Sequence, residues 1–222
     1  MDSVQRVRIE YSKKGPIRYI GHLDLMHTFF RALKRANLPV SYTQGFNPRI
    51  KCSFSPALAL GFESEAEYIE LYLDNKIDIP TSINTLQKNL PEGLTVHNMN
   101  RLPLFGKSSN AKIKAVAYRI NLHQFSGKST VSPIASKEDI EGRIRNFLDR
   151  GELFLIDKRG RRVNVRPLIL SIEMGRDWNI RLLLNTRGGF NLNPRIIVRT
   201  LLGVEEEDLA FVEFTREKFL FW

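Results

Sequence analysis

From Gln5 to Tyr11 the chain alternates polar and apolar positions, the period of a half-buried β-strand. Lys13-Lys14-Gly15-Pro16 follows as a turn. From His22 to Ala36 the spacing becomes helical. Leu23, Met26, Phe30 and Leu33 form one stripe, with Leu25, Phe29, Ala32 and Ala36 beside it, and Asn37-Leu38-Pro39 ends the helix. Extended runs over 50–58 and 65–73 predict two strands joined around Leu60-Gly61-Phe62. A helix is expected from Pro80 to about Leu90, with Thr81 or Ser82 as its N-cap, closed by Pro91-Glu92-Gly93. Residues 94–99 return as a strand. The order is βαββαβ.

Residues 102–112 break both periods with Pro103, Gly106 and Lys107-Ser108-Ser109-Asn110, and read as a linker. Beyond them the order repeats less clearly: a strand over 113–122, then a helix over 136–149 with Ile140, Ile144, Phe147 and Leu148 inward. Extended segments follow over 154–156, 163–174 and 178–184. A helix from Pro194 to Leu202 ends before Gly203, and a strand over 211–214 closes the chain. The expected class is α+β: two tandem ferredoxin-like βαββαβ halves with antiparallel sheets, residues 1–101 and 113–222.

Charge adds a direction. The 222 residues are 42% apolar, enough for a sizeable core, and carry a net charge of +10. Residues 1–55 hold ten Lys and Arg against three acids, and residues 157–199 again hold ten against three. Between them Glu63, Glu65, Glu67, Glu70 and Asp74 reverse the sign. Two basic blocks favour an anionic partner, most simply nucleic acid. The single cysteine, Cys52, excludes an intrachain disulfide and any multi-cysteine metal site, and reads as a packed small residue. The four histidines lack metal-site spacing, so neither metal nor cofactor is expected. No signal peptide and no bilayer-length apolar run is present, so the expected location is cytoplasmic, with no membrane partner.

Three segments hold candidate chemistry. His22 stands at a helix N-terminus beside Gly21 and Asp24, where free backbone N–H groups suit phosphate and an imidazole can donate a hydrogen bond or move a proton. Gln44-Gly45-Phe46-Asn47-Pro48-Arg49 reads as a loop in which Phe46 stacks on a base. Gln44 and Asn47 would read base edges and Arg49 would hold a phosphate, with Arg18 and Lys51 adding positive charge. The stretch Arg187 to Arg195, with Gly188-Gly189 leading into a helix start, resembles a phosphate cradle. The RNA-binding set is therefore Arg18, His22, Gln44, Phe46, Asn47, Arg49, Lys51, Arg187 and Arg195. The first-half members are expected to converge on one electropositive hollow.

Tyr11-Ser12-Lys13, Arg18-Tyr19, Gly21-His22-Leu23-Asp24-Leu25-Met26, Arg31-Ala32, Leu38-Pro39, Gln44 to Arg49 and Phe54-Ser55-Pro56-Ala57-Leu58 resemble the radical-SAM-linked protein family, a bacterial domain of unknown function. Gly61, Glu63-Ser64 and Glu67-Tyr68 extend the match. The resemblance implies an accessory role beside a radical SAM protein. Because this chain lacks the three-cysteine cluster motif, any radical step would belong to that partner. The leading expectation is an RNA-binding accessory that presents tRNA or rRNA to the partner. One alternative is a metal-independent endoribonuclease using His22. The other is a docking domain that meets the partner through the acidic 63–74 surface without binding RNA.

Overall fold

The computed structural model describes residues 3–123, 136–156, 160, 162–186 and 192–221. The chain divides into two compact units, Met1–Lys112 and Ile113–Trp222. Both are mixed α+β, with antiparallel strand pairing and four α-helices among the described residues.

In the first unit β1 (Gln5–Lys13) is central, flanked by β3 (Glu63–Leu73) and β4 (Leu94–Leu102), and the short β2 (Cys52–Phe54) pairs with β3. The order is β4-β1-β3-β2. Alternation puts Val7, Ile9 and Tyr11 of β1 and Ile69, Leu71 and Leu73 of β3 on one buried face. On β4 the buried positions run Leu94, Val96 and then Met99. The extra step falls where the β1–β4 register shifts between Glu10 and Tyr11, a bulge that restores the inward phase.

Helix α1 (His22–Arg35) covers this face through Leu25, Phe29, Ala32 and Leu33. Leu23, expected on an inward stripe, is 68% exposed. At 3.6 residues per turn it lies about 160° around the axis from Leu25. The helix ends in a Schellman motif: Leu38 N–H donates to Leu33 O at 3.2 Å and Asn37 N–H to Lys34 O at 3.0 Å, with Asn37 left-handed at φ 52°. Helix α2 (Ile79–Gln87) is capped by Asp78, whose side chain accepts from Thr81 N at 3.0 Å, rather than by Thr81 or Ser82. Ser82 is buried inside the helix instead.

Residues 103–112 pack against the first unit. Ser109 is buried and both its N–H and its hydroxyl donate to Glu70, while Asn110 donates to Phe54 O at 2.8 Å and accepts from the Tyr68 hydroxyl at 2.6 Å.

The second unit orders its sheet as β10-β5-β9-β8 with β5 (Ile113–Asn121), β8 (Ile169–Met174), β9 (Asn179–Asn185) and β10 (Glu213–Phe221). Helix α3 (Lys137–Leu148) buries Ile140, Ile144 and Phe147, and Ser136 caps it. Helix α4 (Pro194–Leu202) is capped by Asn193 and closed by Gly203 at φ 67°. Two features depart from expectation. A separate hairpin, β6 (Phe154–Ile156) with β7 (Arg162–Asn164), stands between α3 and β8, and a turn at Arg166–Leu168 around Pro167 divides the stretch read as one strand. The last strand is also longer than 211–214. Its inward positions include Arg216, 1% exposed, whose guanidinium lies 5.0 Å from the Phe219 ring and hides the alternation.

Candidate nucleic-acid interface

The predicted first-half residues separate into two groups. The chain enters the exit loop of α1 through a bridge between Val40 and Leu73 and a second between Tyr42 and Ile50. Ser41 N–H donates to Tyr72 O at 2.8 Å, and Lys51 N–H to Ser41 O at 2.7 Å. Thr43 locks the tip from both sides: its N–H donates to Arg49 O at 2.8 Å and its hydroxyl accepts from Arg49 N–H at 3.0 Å. The result is a hairpin-like projection with a fixed base.

Everything from Tyr42 to Arg49 is exposed, and Phe46 is exposed to 105% of its reference area. Gly45, at φ 125° with open space where a Cβ would stand, allows the bend that turns Phe46 outward. A phenyl ring fully in water at the end of a built hairpin contributes nothing to this unit's core. The side chains of Gln44, Asn47 and Arg49 make no hydrogen bond or ion pair among the described residues. Lys51 Nζ stands 4.6 Å from the centre of the Tyr72 ring, and Tyr42 is 42% exposed. Tyr42 and Tyr72, absent from the predicted set, thus add two aromatic rings to one basic edge. Tyr42 follows Ser41, whose N–H donates to Tyr72 O, a cross-strand neighbourhood the sequence alone does not show.

Arg18 belongs elsewhere, and His22 lies in neither group. Arg18 lies in a 3₁₀ turn (Gly15–Tyr19), with its guanidinium 3.4 Å from Glu63, hydrogen-bonded to the Tyr19 hydroxyl at 3.1 Å and stacked over that ring at 5.1 Å. The hydrogen bond to Tyr19 leads the influences that raise its pKa above the ordinary value, against the opposing effect of burial, with Glu63 adding to the rise. Lys13 donates to Ile20 O at 3.0 Å and Lys14 pairs with Glu65 at 2.9 Å. His22 opens α1 half-buried, its ring edge-on to Phe54 at 5.9 Å. Arg18 sits beside Glu63 and Lys51 over Tyr72, nine residues further along β3. At 3.3 Å per residue Arg18 stands about 30 Å from the Lys51–Tyr72 stack, whereas His22, against Phe54 opposite Ile69, lies between them. The single hollow expected from the sequence is therefore corrected for Arg18, which stands at the other end of the sheet from the hairpin.

The acidic interval is corrected as well. Glu67 is buried and accepts from the Ser55 hydroxyl at 2.5 Å, Glu70 is buried against Arg6, and Glu63 and Glu65 pair with Arg18 and Lys14. Asp74 accepts from Ser41 at 2.5 Å. Glu63, Glu65 and Glu70 thus pair with the unit's own cations, and Glu67 and Asp74 accept from serine hydroxyls.

In the second unit Arg187 lies outside the described residues. Arg195, in the first turn of α4, is ion-paired to Glu206 at 2.9 Å and lies 5.3 Å from the Phe214 ring. Cys52 is half-buried, and burial pushes its thiol up to about 11, so it stays protonated near neutral pH. No group of three or more His, Cys, Asp or Glu among the described residues is placed to hold a metal ion, and no helix there is long and apolar enough to cross a membrane.

Comparison with known proteins adds a family. The model of DUF2344, described as an uncharacterized protein conserved in bacteria, matches residues 6–197, and that description carries no link to radical SAM enzymes. No curated protein matches. Among solved structures, an unknown protein from Galdieria sulphuraria is 12% identical, with 97% of this chain and 98% of that one covered and a TM-score of 0.29. A protein provisionally described as a glycine cleavage system transcriptional repressor is 11% identical, with 96% and 98% covered and a TM-score of 0.26. At such scores neither likeness bears on fold or function.

Proposed function

This chain belongs to the DUF2344 family of proteins conserved in bacteria, and from that premise we propose that it is an RNA-binding accessory protein. The observation that carries the reading is Phe46, fully exposed on a braced hairpin that also carries Arg49, without an ion pair among the described residues, and leads to the Lys51–Tyr72 stack. Single-stranded RNA is bound by that combination, in which aromatic faces stack on bases and nearby cations hold the phosphates. Gln44 and Asn47 flank the ring with free donors and acceptors for base edges. Both halves are read as ferredoxin-like, since each sheet places its fourth, first, third and second main strands side by side, the second half with a hairpin inserted. The resemblance of residues 11–68 to radical-SAM-linked proteins supplies the partner: a radical SAM enzyme that acts on the RNA this chain presents, tRNA or rRNA.

The test is binding of labelled single-stranded RNA at several salt concentrations. Affinity falls steeply with salt in the native protein. Phe46→Ala weakens binding by about 1–3 kcal/mol, one lost base stack, with no change in Tm because the ring touches no core. Arg49→Ala weakens it and lowers the salt slope by about one. Equal affinities for native protein and Phe46→Ala would remove the hairpin from the interface.

A further inference from the structure

The second unit contains a cavity of about 540 Å³ that none of the predicted residues lines. It is bounded by the β8–β9 turn, the first turns of α3, and the facing strands β5 and β9. Arg119, Lys137, Arg176 and Arg181 line it, with Glu141 and Asp177. Arg119 and Arg181 are directly opposed across the β5–β9 ladder. Like charges in that register repel; Arg119 pairs with Glu217 at 2.8 Å, and Arg181 faces Glu173 across the β8–β9 ladder. Among the described residues, the guanidiniums of Arg181 and Arg176 make no hydrogen bond or ion pair. Lys137 donates to the backbone carbonyl of Arg176, which fixes its ammonium at the same rim.

The contrast with the first unit is informative. There Arg6 and Arg18 each have a carboxylate partner, as the buried and half-buried positions require. Here four cations line one hollow with two carboxylates, and the guanidiniums of Arg176 and Arg181 stand exposed at it. Guanidiniums in a fork are suited to oxyanions through paired N–H donors. Two guanidiniums that make no ion pair among the described residues suit one phosphate group, and Glu141 and Asp177 oppose anything more highly charged.

We propose that this cavity binds a single phosphate group carried by a phosphorylated ligand. The site is independent of the Phe46 hairpin. The phosphate comes either from the 5′ end of a nucleic acid or from a small phosphorylated molecule.

Inorganic phosphate is titrated into the intact chain at constant ionic strength while the arginine Nε–H signals are followed by NMR. The expected result is saturable shifts at the Arg119, Arg176 and Arg181 signals, at least tenfold weaker in Arg181→Gln and in Arg176→Gln, and unchanged in Phe46→Ala. Arg176 sits on an exposed turn, so its variant keeps the test decisive should Arg181→Gln fail to fold. Shifts that never saturate, that saturate equally in both variants, or that vanish in Phe46→Ala overturn the proposal. Competition then names the source. Displacement of phosphate by a 5′-phosphorylated oligonucleotide, and not by its 5′-hydroxyl form, assigns a nucleic-acid end. Retention of phosphate against both assigns a small ligand.

Discussion

Replacing Glu70 by glutamine is expected to lower the stability of the first unit by about 3–5 kcal/mol, the cost of breaking a buried ion pair from one side. Glu70 is 1% exposed and ion-paired to Arg6, itself 4% exposed, with the Arg8 guanidinium 3.5 Å away. Ser109 completes its shell with a backbone N–H at 3.1 Å and its hydroxyl. Removing the charge leaves the Arg6 guanidinium buried without its counter-ion and loosens the 103–112 segment that Ser109 anchors. Urea denaturation of the intact chain measures the loss, and a change below about 1 kcal/mol would show that Arg6 finds water or another partner at no great cost.

The same carboxylate makes stability depend on pH with a definite sign. Burial is the largest single influence and pushes its pKa upward. The hydrogen bonds from Ser109 and Arg6, together with the charge of Arg6, outweigh burial and hold the group below the ordinary carboxylate range. A group depressed on folding contributes its stability above the unfolded value, near 4.3 for glutamate. That contribution disappears as pH falls through the folded value. The native protein should therefore lose stability with acid from about pH 5 downward, and Glu70→Gln should flatten that slope.

Gly93→Ala is the second large effect, about 3 kcal/mol of destabilisation. Gly93 closes the turn after α2 at φ 87°, a region that costs an L-residue about 1–3 kcal/mol. Space is the second difficulty. An added Cβ would stand 2.3 Å from the backbone oxygen of Lys14 and 2.8 Å from the Ile17 methyl. Lys14 N–H donates to Gly93 O at 2.8 Å and ties the two segments together, so relieving the clash by moving them apart would cost that bond. Overpacking of this kind adds about 1–3 kcal/mol. A fall in Tm of several degrees is expected, and an unchanged Tm would mean that the Lys13–Tyr19 turn shifts freely.

These two sites show where the sequence was readable. Elements with a clean period, β1, α1, α3 and α4, stood out because neighbouring residues reveal the buried face by spacing alone. Ser109 and Asn110 looked like linker residues because a buried serine differs from an exposed one only through its partner, and that partner, Glu70, lies 39 residues away. Glu67 and Glu70 looked like a surface for the same reason. Arg216 and the register shift beside it concealed most of β10.

The separation of Arg18 from the Phe46 hairpin was legible but missed. Helix α1 spans 14 residues, so at 1.5 Å per residue it carries the chain about 21 Å from one end of the sheet to the other. Residues just before a crossover helix and just after it face opposite ends. The aromatic and basic character of the hairpin was readable from composition, whereas the exposure of Phe46 required the two bridges that brace its base. The second basic block contains Arg176 and Arg181, but Arg119 and Lys137 lie outside it and join them only through strand register and the start of α3.

The most direct test of the central claim is ultraviolet crosslinking of the intact protein to cellular RNA, followed by mass spectrometry of the RNA-bound peptides. The account predicts that the dominant crosslinked peptide carries Phe46, with the adduct within residues 42–51. RNA-bound peptides confined to other parts of the chain, or recovery of the protein without RNA, would contradict it.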